Sequence, residues 1–228
     1  IPCAKALEEL VNNYNCSVIL CSATQPELER FMSEKIKTEE ICSNVSELYD
    51  FFNKTRVKFI GQITSNELVR KLNDIDQCLL IVNTKKQARK LYEKLIKTYG
   101  KKGIFHLSTY MCPVHRNKII EEIKERLKNE EKCIVVSTSL IEAGVDVDFP
   151  VVYRAMCGLD SIIQAAGRCN RERRYELAYL YVFDFTDEEF KVNKSSPYGN
   201  YLRQRQSITE IVAGKYEDVT RPEAIKEY

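Results

Sequence analysis

Arg168 and Arg171 stand three residues apart, just beyond a glycine, in the block QAAGRCNR at 164–171. If a helix continues through this block, the spacing places both guanidinium groups on one helix face. Guanidinium groups supplied to a transferring phosphoryl group stabilise the charge of its transition state. The alternative is that both arginines pair with Glu172 or Glu176 on a solvated helix, and we favour the phosphoryl chemistry.

A second block with chemical potential lies upstream, EAGVDVD at 142–148. It follows an apolar run and the hydroxyl-rich turn at 137–139, whose hydroxyl and N–H groups suit a phosphate. The same turn also suits a helix cap over 140–142. Within the block, Gly144 permits a close backbone approach or a positive φ, and Asp148 is the expected turn acid.

These two blocks resemble motifs V and VI of superfamily 2 helicases in residue sequence, order and separation. The fuller wording, EAGVDVD followed by LDSIIQAAGRCNR, resembles the helicase part of the CRISPR-associated helicase–nuclease of type I systems. The resemblance extends back to Ser22, Ala23 and Thr24, which match motif III. It has one departure, because Ala165 stands where such helicases usually carry an arginine after the motif VI glutamine.

The resemblance implies roles in nucleotide binding for five residues. Arg168 is implied to reach the γ-phosphate, and Gln164 and Arg171 to line the nucleotide cleft, although the two arginines are interchangeable in these roles. Asp146 is implied to face the ribose side of ATP, beside Gly144. Phosphoryl chemistry by such arginines depends on electrostatic stabilisation of the transferring group.

Contact with nucleic acid is expected from other positions. The candidates are small hydroxyl or amide residues that follow predicted strands: Asn83, Thr84, Ser137 and Thr138. The motif III residues Ser22, Ala23 and Thr24 are implied to couple the state of the nucleotide to the nucleic-acid track. On residue type alone, those three residues before a proline are a turn and helix cap.

The cofactors that the resemblance implies are ATP and Mg²⁺, which a first domain outside this sequence would mainly hold. No G-x-x-x-x-G-K-[ST] phosphate loop occurs in the chain, and such a loop is what cradles the phosphates. We therefore expect a longer polypeptide with N-terminal helicase and nuclease domains. The implied partners are single-stranded DNA and the CRISPR RNA-guided surveillance complex, and no metal site is expected in this chain.

Apolar runs alternate with helical patterns from about residue 56 to 212. This alternation predicts an α/β fold, a RecA-like parallel sheet with helices on both faces. We assign 1–53, with a strand at 17–21, to the tail end of a first RecA-like domain and a linker, and 54–228 to the second. Ligands of such sheets bind outside the carboxyl ends of the strands. We expect both arginines there, and side chains locked into the interior or lying on the opposite surface would overturn the interpretation as a motor.

Charge and cysteine usage indicate the compartment and the partners. Residues 85–128 hold thirteen Lys or Arg against four Glu, a local charge of +9 in a chain of net charge +2. This is a possible phosphate-backbone footprint, or else a set of solvated helix faces. No apolar run is long enough to span a membrane. Nine cysteines without a C-x-x-C pair indicate buried free thiols and a cytoplasmic location.

The sequence thus predicts the C-terminal half of an ATP-dependent DNA helicase or translocase of type I CRISPR interference, inactive as an ATPase by itself. One alternative is a non-catalytic nucleic-acid-binding module that keeps the fold. Another is an RNA helicase or a restriction translocase of superfamily 2.

Overall fold

The computed structural model describes residues 2–21, 31–33, 39–142 and 145–228. Within them, six strands form one sheet in the order β1-β6-β5-β2-β4-β3, and every neighbouring pair is parallel. The strands are β1 Thr55–Ile63, β2 Gln77–Ile81, β3 Ile104–Leu107, β4 Cys133–Ser137, β5 Val151–Ala155 and β6 Ala178–Phe185. The predicted α/β fold with a parallel sheet is confirmed. Because all strands run in the same direction, their carboxyl ends lie at one end of the sheet and their amino ends at the other. We call these two ends the carboxyl edge and the amino edge.

Eight α-helices accompany the described strands. They are α1 Pro2–Tyr14, α2 Val45–Phe52, α3 Ser65–Lys71, α4 Lys85–Tyr99, α5 Pro113–Lys128, α6 Leu159–Ala166, α7 Pro197–Lys215 and α8 Pro222–Glu227. Each crossover helix returns the chain from the carboxyl edge to the amino edge, as parallel neighbours require.

Both faces of the sheet are buried, which explains why its central strands are continuously apolar. On one face, Leu79 of β2 belongs to a cluster with Ile123 of α5 and Ile162 of α6. On the other face, Leu80 packs in a cluster with Leu91 of α4. Each such side chain contributes about 1.5–3 kcal/mol when fully buried. The prediction of helices on both faces is confirmed.

Two helices begin where the sequence predicts. The side chains of Thr64 and Thr84 each accept a hydrogen bond from the backbone N–H three residues on, and the side chains of Glu67 and Gln87 accept one from the backbone N–H of the cap residue. These reciprocal bonds satisfy N–H groups that the first turn of a helix leaves unpaired. They set the carboxyl-edge turns after β1 and β2.

The predicted strand at 17–21 is wrong, because this segment has no regular structure and Ile19 is exposed. An extended apolar run becomes a strand only beside a hydrogen-bonded neighbour, and none of the described strands pairs with it. The motif III prediction for Ser22, Ala23 and Thr24 lies outside the described residues. After α7 the chain ends with the short helix α8.

The cysteine prediction is only partly confirmed. Four cysteines are buried and five are exposed, and all nine are free thiols. Burial raises the pKa of the Cys169 thiol to about 12, so this group stays protonated and packs as a small apolar side chain. Among the described residues, no helix is long and apolar enough to cross a membrane.

Candidate functional site

The β4–β5 connection, residues 138–150, runs from the carboxyl edge to the amino edge. It begins with a 3-10 turn, Ser139–Glu142, and ends at Phe149, next to the start of β5. There the Phe149 N–H donates to the Arg168 carbonyl, and the Asn170 N–H donates to the Phe149 carbonyl, both at 3.0 Å. The block with the two arginines is therefore attached to the amino edge.

The expectation that both arginines lie at the carboxyl ends of the strands is wrong for their backbone, which lies at the amino edge, although the Arg168 guanidinium reaches the carbonyls of the 3-10 turn that follows β4. Strands β5 and β6 are parallel neighbours, so α6 must return the chain to the amino edge before β6 begins. The helix ends at Ala166, and Arg168 and Arg171 lie beyond it, in the arginine loop, residues 167–177. The helix does not continue through the two arginines, so the condition for one shared helix face is not met. Neither side chain is locked in the interior, but the position of the arginine loop at the amino edge meets the stated criterion against the interpretation as a motor.

The structure does bring three predicted nucleotide residues together. Arg168 donates from Nε to the Ile141 carbonyl at 3.1 Å and from Nη2 to the Glu142 carbonyl at 2.9 Å. Arg171 Nη1 lies 3.2 Å from Asp146 Oδ1. Burial, and then the nearby charge of Arg171, lowers the pKa of Arg168, which Asp146 opposes. Two guanidinium groups so close to one carboxylate form a site suited to an anion with several oxygens.

The alternative pairing with Glu172 or Glu176 is not what the structure contains. Glu172 instead pairs with Arg174, with Nη2 and Oε2 2.6 Å apart. Asp148 accepts hydrogen bonds from the backbone N–H groups of Arg171 at 2.6 Å and of Glu172 at 3.4 Å. The predicted role of Asp148 as a turn acid is confirmed.

Asn170 is a positioning residue that the sequence reasoning missed. Its φ is +53°, its side chain is buried, and its amide donates to the Tyr175 carbonyl at 2.8 Å and accepts from the Tyr175 N–H at 3.0 Å. Asparagine is enriched in this left-handed region. The sequence signal for this role was an asparagine between the two candidate arginines, Arg168 and Arg171.

Glu142, to which the sequence assigned no role, forms a buried ion pair with Arg154. The Glu142 Oε1 and Arg154 Nε atoms lie 2.9 Å apart, without hydrogen-bond alignment, and the side chains are 4% and 3% exposed. Burial raises the pKa of Glu142, and the Arg154 charge opposes this. Arg154 also donates from Nη1 to Asn83 Oδ1 at 2.7 Å. An arginine in the apolar strand 151–155 was the available signal for a buried acid.

The four residues expected to touch nucleic acid lie at the carboxyl edge, near the ends of β2 and β4. The Asn83 amide is engaged by Arg154 and by the Met156 carbonyl, and Thr84 caps α4. The Ser137 hydroxyl is buried and donates to the Thr138 carbonyl at 2.9 Å, and Thr138 is also buried. That these four residues contact a nucleic-acid strand stays a prediction. The hydrogen bonds observed for them stabilise the turns at the carboxyl edge.

The remaining nucleotide candidates divide differently. Gln164 is exposed near the end of α6, and Gly144 lies outside the described residues. Ala165, the departure from the helicase pattern, is fully buried in the core. A third basic group therefore cannot join the arginine pair from that position. The described part of the chain holds no group of three His, Cys, Asp or Glu residues close enough for a metal ion.

A parallel sheet with its motif V and motif VI segments joined at the amino edge defines a RecA-like helicase domain of the α/β class. Residues 74–174 match the family model described as CRISPR-associated nuclease/helicase Cas3, C-terminal. This segment holds Asp146, Arg168 and Arg171. The resemblance read from the motifs is confirmed: this segment matches the C-terminal helicase part of the Cas3 family.

Known proteins of this family match most of the chain. The CRISPR-associated nuclease/helicase Cas3 of Methanothermobacter thermautotrophicus is 25% identical over 197 residues, which are 79% of this chain and 23% of that protein. The crystal structure of T. fusca Cas3-ADP superposes with a TM-score of 0.59 at 16% identity, covering 75% of this chain and 24% of that one.

A chain of a structure described as a CRISPR RNA-guided surveillance complex, pre-nicking, gives the same TM-score at 18% identity, covering 77% of this chain and 25% of its own length. At these identities the solved structures show the fold alone. The chain spans about a quarter of the length of these relatives.

Proposed function

We propose that residues 54–228 are the second RecA-like lobe of an ATP-dependent DNA helicase or translocase of type I CRISPR interference. The observation that carries this proposal is the convergence of Asp146, Arg168 and Arg171 within the family-matched segment. Residues 1–53 would be the tail end of the first lobe and a linker. In support, Ala4 is the one buried hydrophobic residue among those described before β1.

In this proposal the first lobe mainly binds ATP and Mg²⁺, and the arginine loop closes on the γ-phosphate. The two carbonyls that hold Arg168 fix its Nε and Nη2, which leaves the Nη1 end for phosphate oxygens. Within the described part of the chain, the Arg171 side chain is held by an exposed pair with Asp146, in which the two side chains are 46% and 79% exposed. Such pairs contribute about 0–1 kcal/mol, so a phosphate can replace the carboxylate at little cost.

Asp146, with Gln164 and Gly144, would then face the nucleotide rather than the phosphoryl group. Single-stranded DNA would lie along the carboxyl edge, near Asn83, Thr84, Ser137 and Thr138. The two sites are thus at opposite edges, and the β4–β5 connection joins them, because Thr138 begins it and Asp146 lies near its other end. Closure of the two lobes on the nucleotide would shift the β4–β5 connection and so move the single-stranded DNA.

ATP turnover in the presence and absence of single-stranded DNA tests the proposal. The intact two-lobed polypeptide should hydrolyse ATP faster when single-stranded DNA is present. The 228-residue chain alone should show negligible turnover. Turnover by the chain alone that disappears in Arg168→Ala would overturn the two-lobe assignment. Strand binding by the intact protein without any nucleotide dependence would favour a non-catalytic module.

A further inference from the structure

Tyr110 projects from the carboxyl edge just after β3. It is 81% exposed, more than any other large hydrophobic side chain in the part of the chain that the structure describes. The turn that carries it is fixed, because the Met111 N–H donates to the Ser108 carbonyl at 3.1 Å and Met111 packs against the core. A fixed backbone therefore presents an aromatic ring that contributes nothing to the core.

A basic group lies against this ring. The Lys85 Nζ atom sits 3.7 Å from the centroid of the Tyr110 ring, a cation–π distance. Lys85 opens α4, directly after the capped turn at Thr84, and Lys86 beside it is exposed. The ammonium group covers one face of the ring, so the opposite face remains available to a planar ligand.

The neighbouring loops extend this surface along the carboxyl edge. Strand β4 lies between β2 and β3, so the turn after β4 lies between the turns that follow β2 and β3. Its exposed residue is Ser139, the one hydroxyl of the 137–139 turn that is not buried. An aromatic face, a hydroxyl and a lysine on adjacent loops match the way proteins hold a single strand, by stacking on bases and contacting phosphates.

We propose that Tyr110 is a base-stacking platform for single-stranded nucleic acid and that Lys85 contacts the adjacent phosphate. This inference rests on the proposed function, which it deepens by assigning strand contacts to residues outside the helicase-like motifs. Stacking on an aromatic ring tolerates any base, because every base has a π face. The platform therefore suits a motor that moves along a strand without reading its sequence.

The test separates stacking from charge by comparing two oligomers of equal length and phosphate number, one of thymidines and one of abasic sugars. The chain should bind the thymidine oligomer more tightly in a titration followed by fluorescence anisotropy. Tyr110→Ala should weaken that binding by about tenfold, within the range for loss of one base–aromatic stack, and leave abasic binding unchanged. Tyr110→Phe should retain the preference.

Lys85→Ala should weaken the binding of both oligomers equally and reduce the dependence of affinity on salt. Tyr14→Ala, which removes another exposed ring from α1, is the matched control and should change neither affinity.

Two failures are distinguishable. If the unmodified chain binds neither oligomer, strand binding in the proposed function fails. If it binds thymidine oligomers and Tyr110→Ala binds them equally well, only the stacking platform fails, and the exposed ring belongs to a protein partner instead.

Discussion

Two acid–arginine pairs lie close together and have opposite surroundings. Glu142 and Arg154 meet in the interior with almost no exposed surface, whereas Asp146 and Arg171 meet in solvent at the amino edge. The two acids are four positions apart in one connection. Both pairs join a carboxylate to a guanidinium group, and the burial and the remaining hydrogen bonds differ.

This difference separates a structural pair from a functional one. A buried ion pair that loses one partner leaves a charge without solvent, which is strongly destabilising. An exposed pair contributes little to stability and can open for another ligand. The buried pair, joined to Asn83 through Arg154, stabilises the carboxyl edge, while the exposed pair keeps an arginine near the expected phosphate. The predictions below test this separation.

The largest expected effect is on catalysis at the exposed pair. In the intact two-lobed protein, Arg171→Ala or Arg168→Ala should lower the rate of ATP hydrolysis by about 10³- to 10⁵-fold, the range for loss of an arginine finger. Steady-state turnover at saturating ATP measures it. Arg174→Ala is the matched control, because Arg174 lies in the same loop and its side chain is 46% exposed, as is that of Arg171.

If the Arg174→Ala variant loses as much activity as the other two, the loop as a whole is required and the assignment of two specific arginines fails. If neither Arg168→Ala nor Arg171→Ala changes turnover, the amino edge is not the nucleotide surface.

The next effect concerns stability at the buried pair. Glu142→Ala should lower the free energy of unfolding of the chain by about 3–5 kcal/mol, because it leaves the Arg154 charge buried and unpaired. Urea denaturation followed by circular dichroism measures this. Asp146→Ala, the matched change in the exposed pair, should cost less than about 1 kcal/mol. Equal losses in the two variants would remove the distinction between the pairs.

The smallest expected effect is a pH dependence of stability. Burial raises the pKa of Glu142 in the folded chain above its usual value of 4.5. As pH rises above 4.5, the unfolded chain ionises this group first, so the free energy of unfolding falls until the raised pKa is passed, by at most about 1.4 kcal/mol per pH unit.

Glu142→Gln cannot ionise at this position and should lack this component. Urea denaturation of both chains from pH 4.5 upward measures the difference. A gap between them that stays constant with pH, or a wild type that gains stability relative to Glu142→Gln, would contradict the prediction.

Much of the fold could be predicted because its signals are local. The apolar run 78–82 and the Thr84 cap predict β2 and the start of α4 within a residue or so. Hydrophobic spacing along α4 also identifies its buried stripe. The run 17–21 has four apolar residues out of five and yet forms no strand, because pairing with another strand is a long-range property.

The candidate site divides in the same way. Residue spacing and the motif sequences identified Arg168, Arg171 and Asp146, which the structure brings together. They also identified Asp148 as a turn acid. The partner of Glu142 could not be found, because Arg154 reaches it only after β5 joins the sheet. No helix continues through the two arginines, since α6 ends where the chain must turn into β6.

The sequence by itself determined which side chains carry charge into the site, because residue type and order alone specify the motif V and VI segments. Only the tertiary structure decided where that charge lies. Parallel pairing of β5 with β6 returns the chain to the amino edge before Arg168, so the arginines meet Asp146 on the side opposite to Tyr110 and Ser137. The physical reason is that strand pairing fixes direction in space, and residue spacing contains no information about which strands become neighbours.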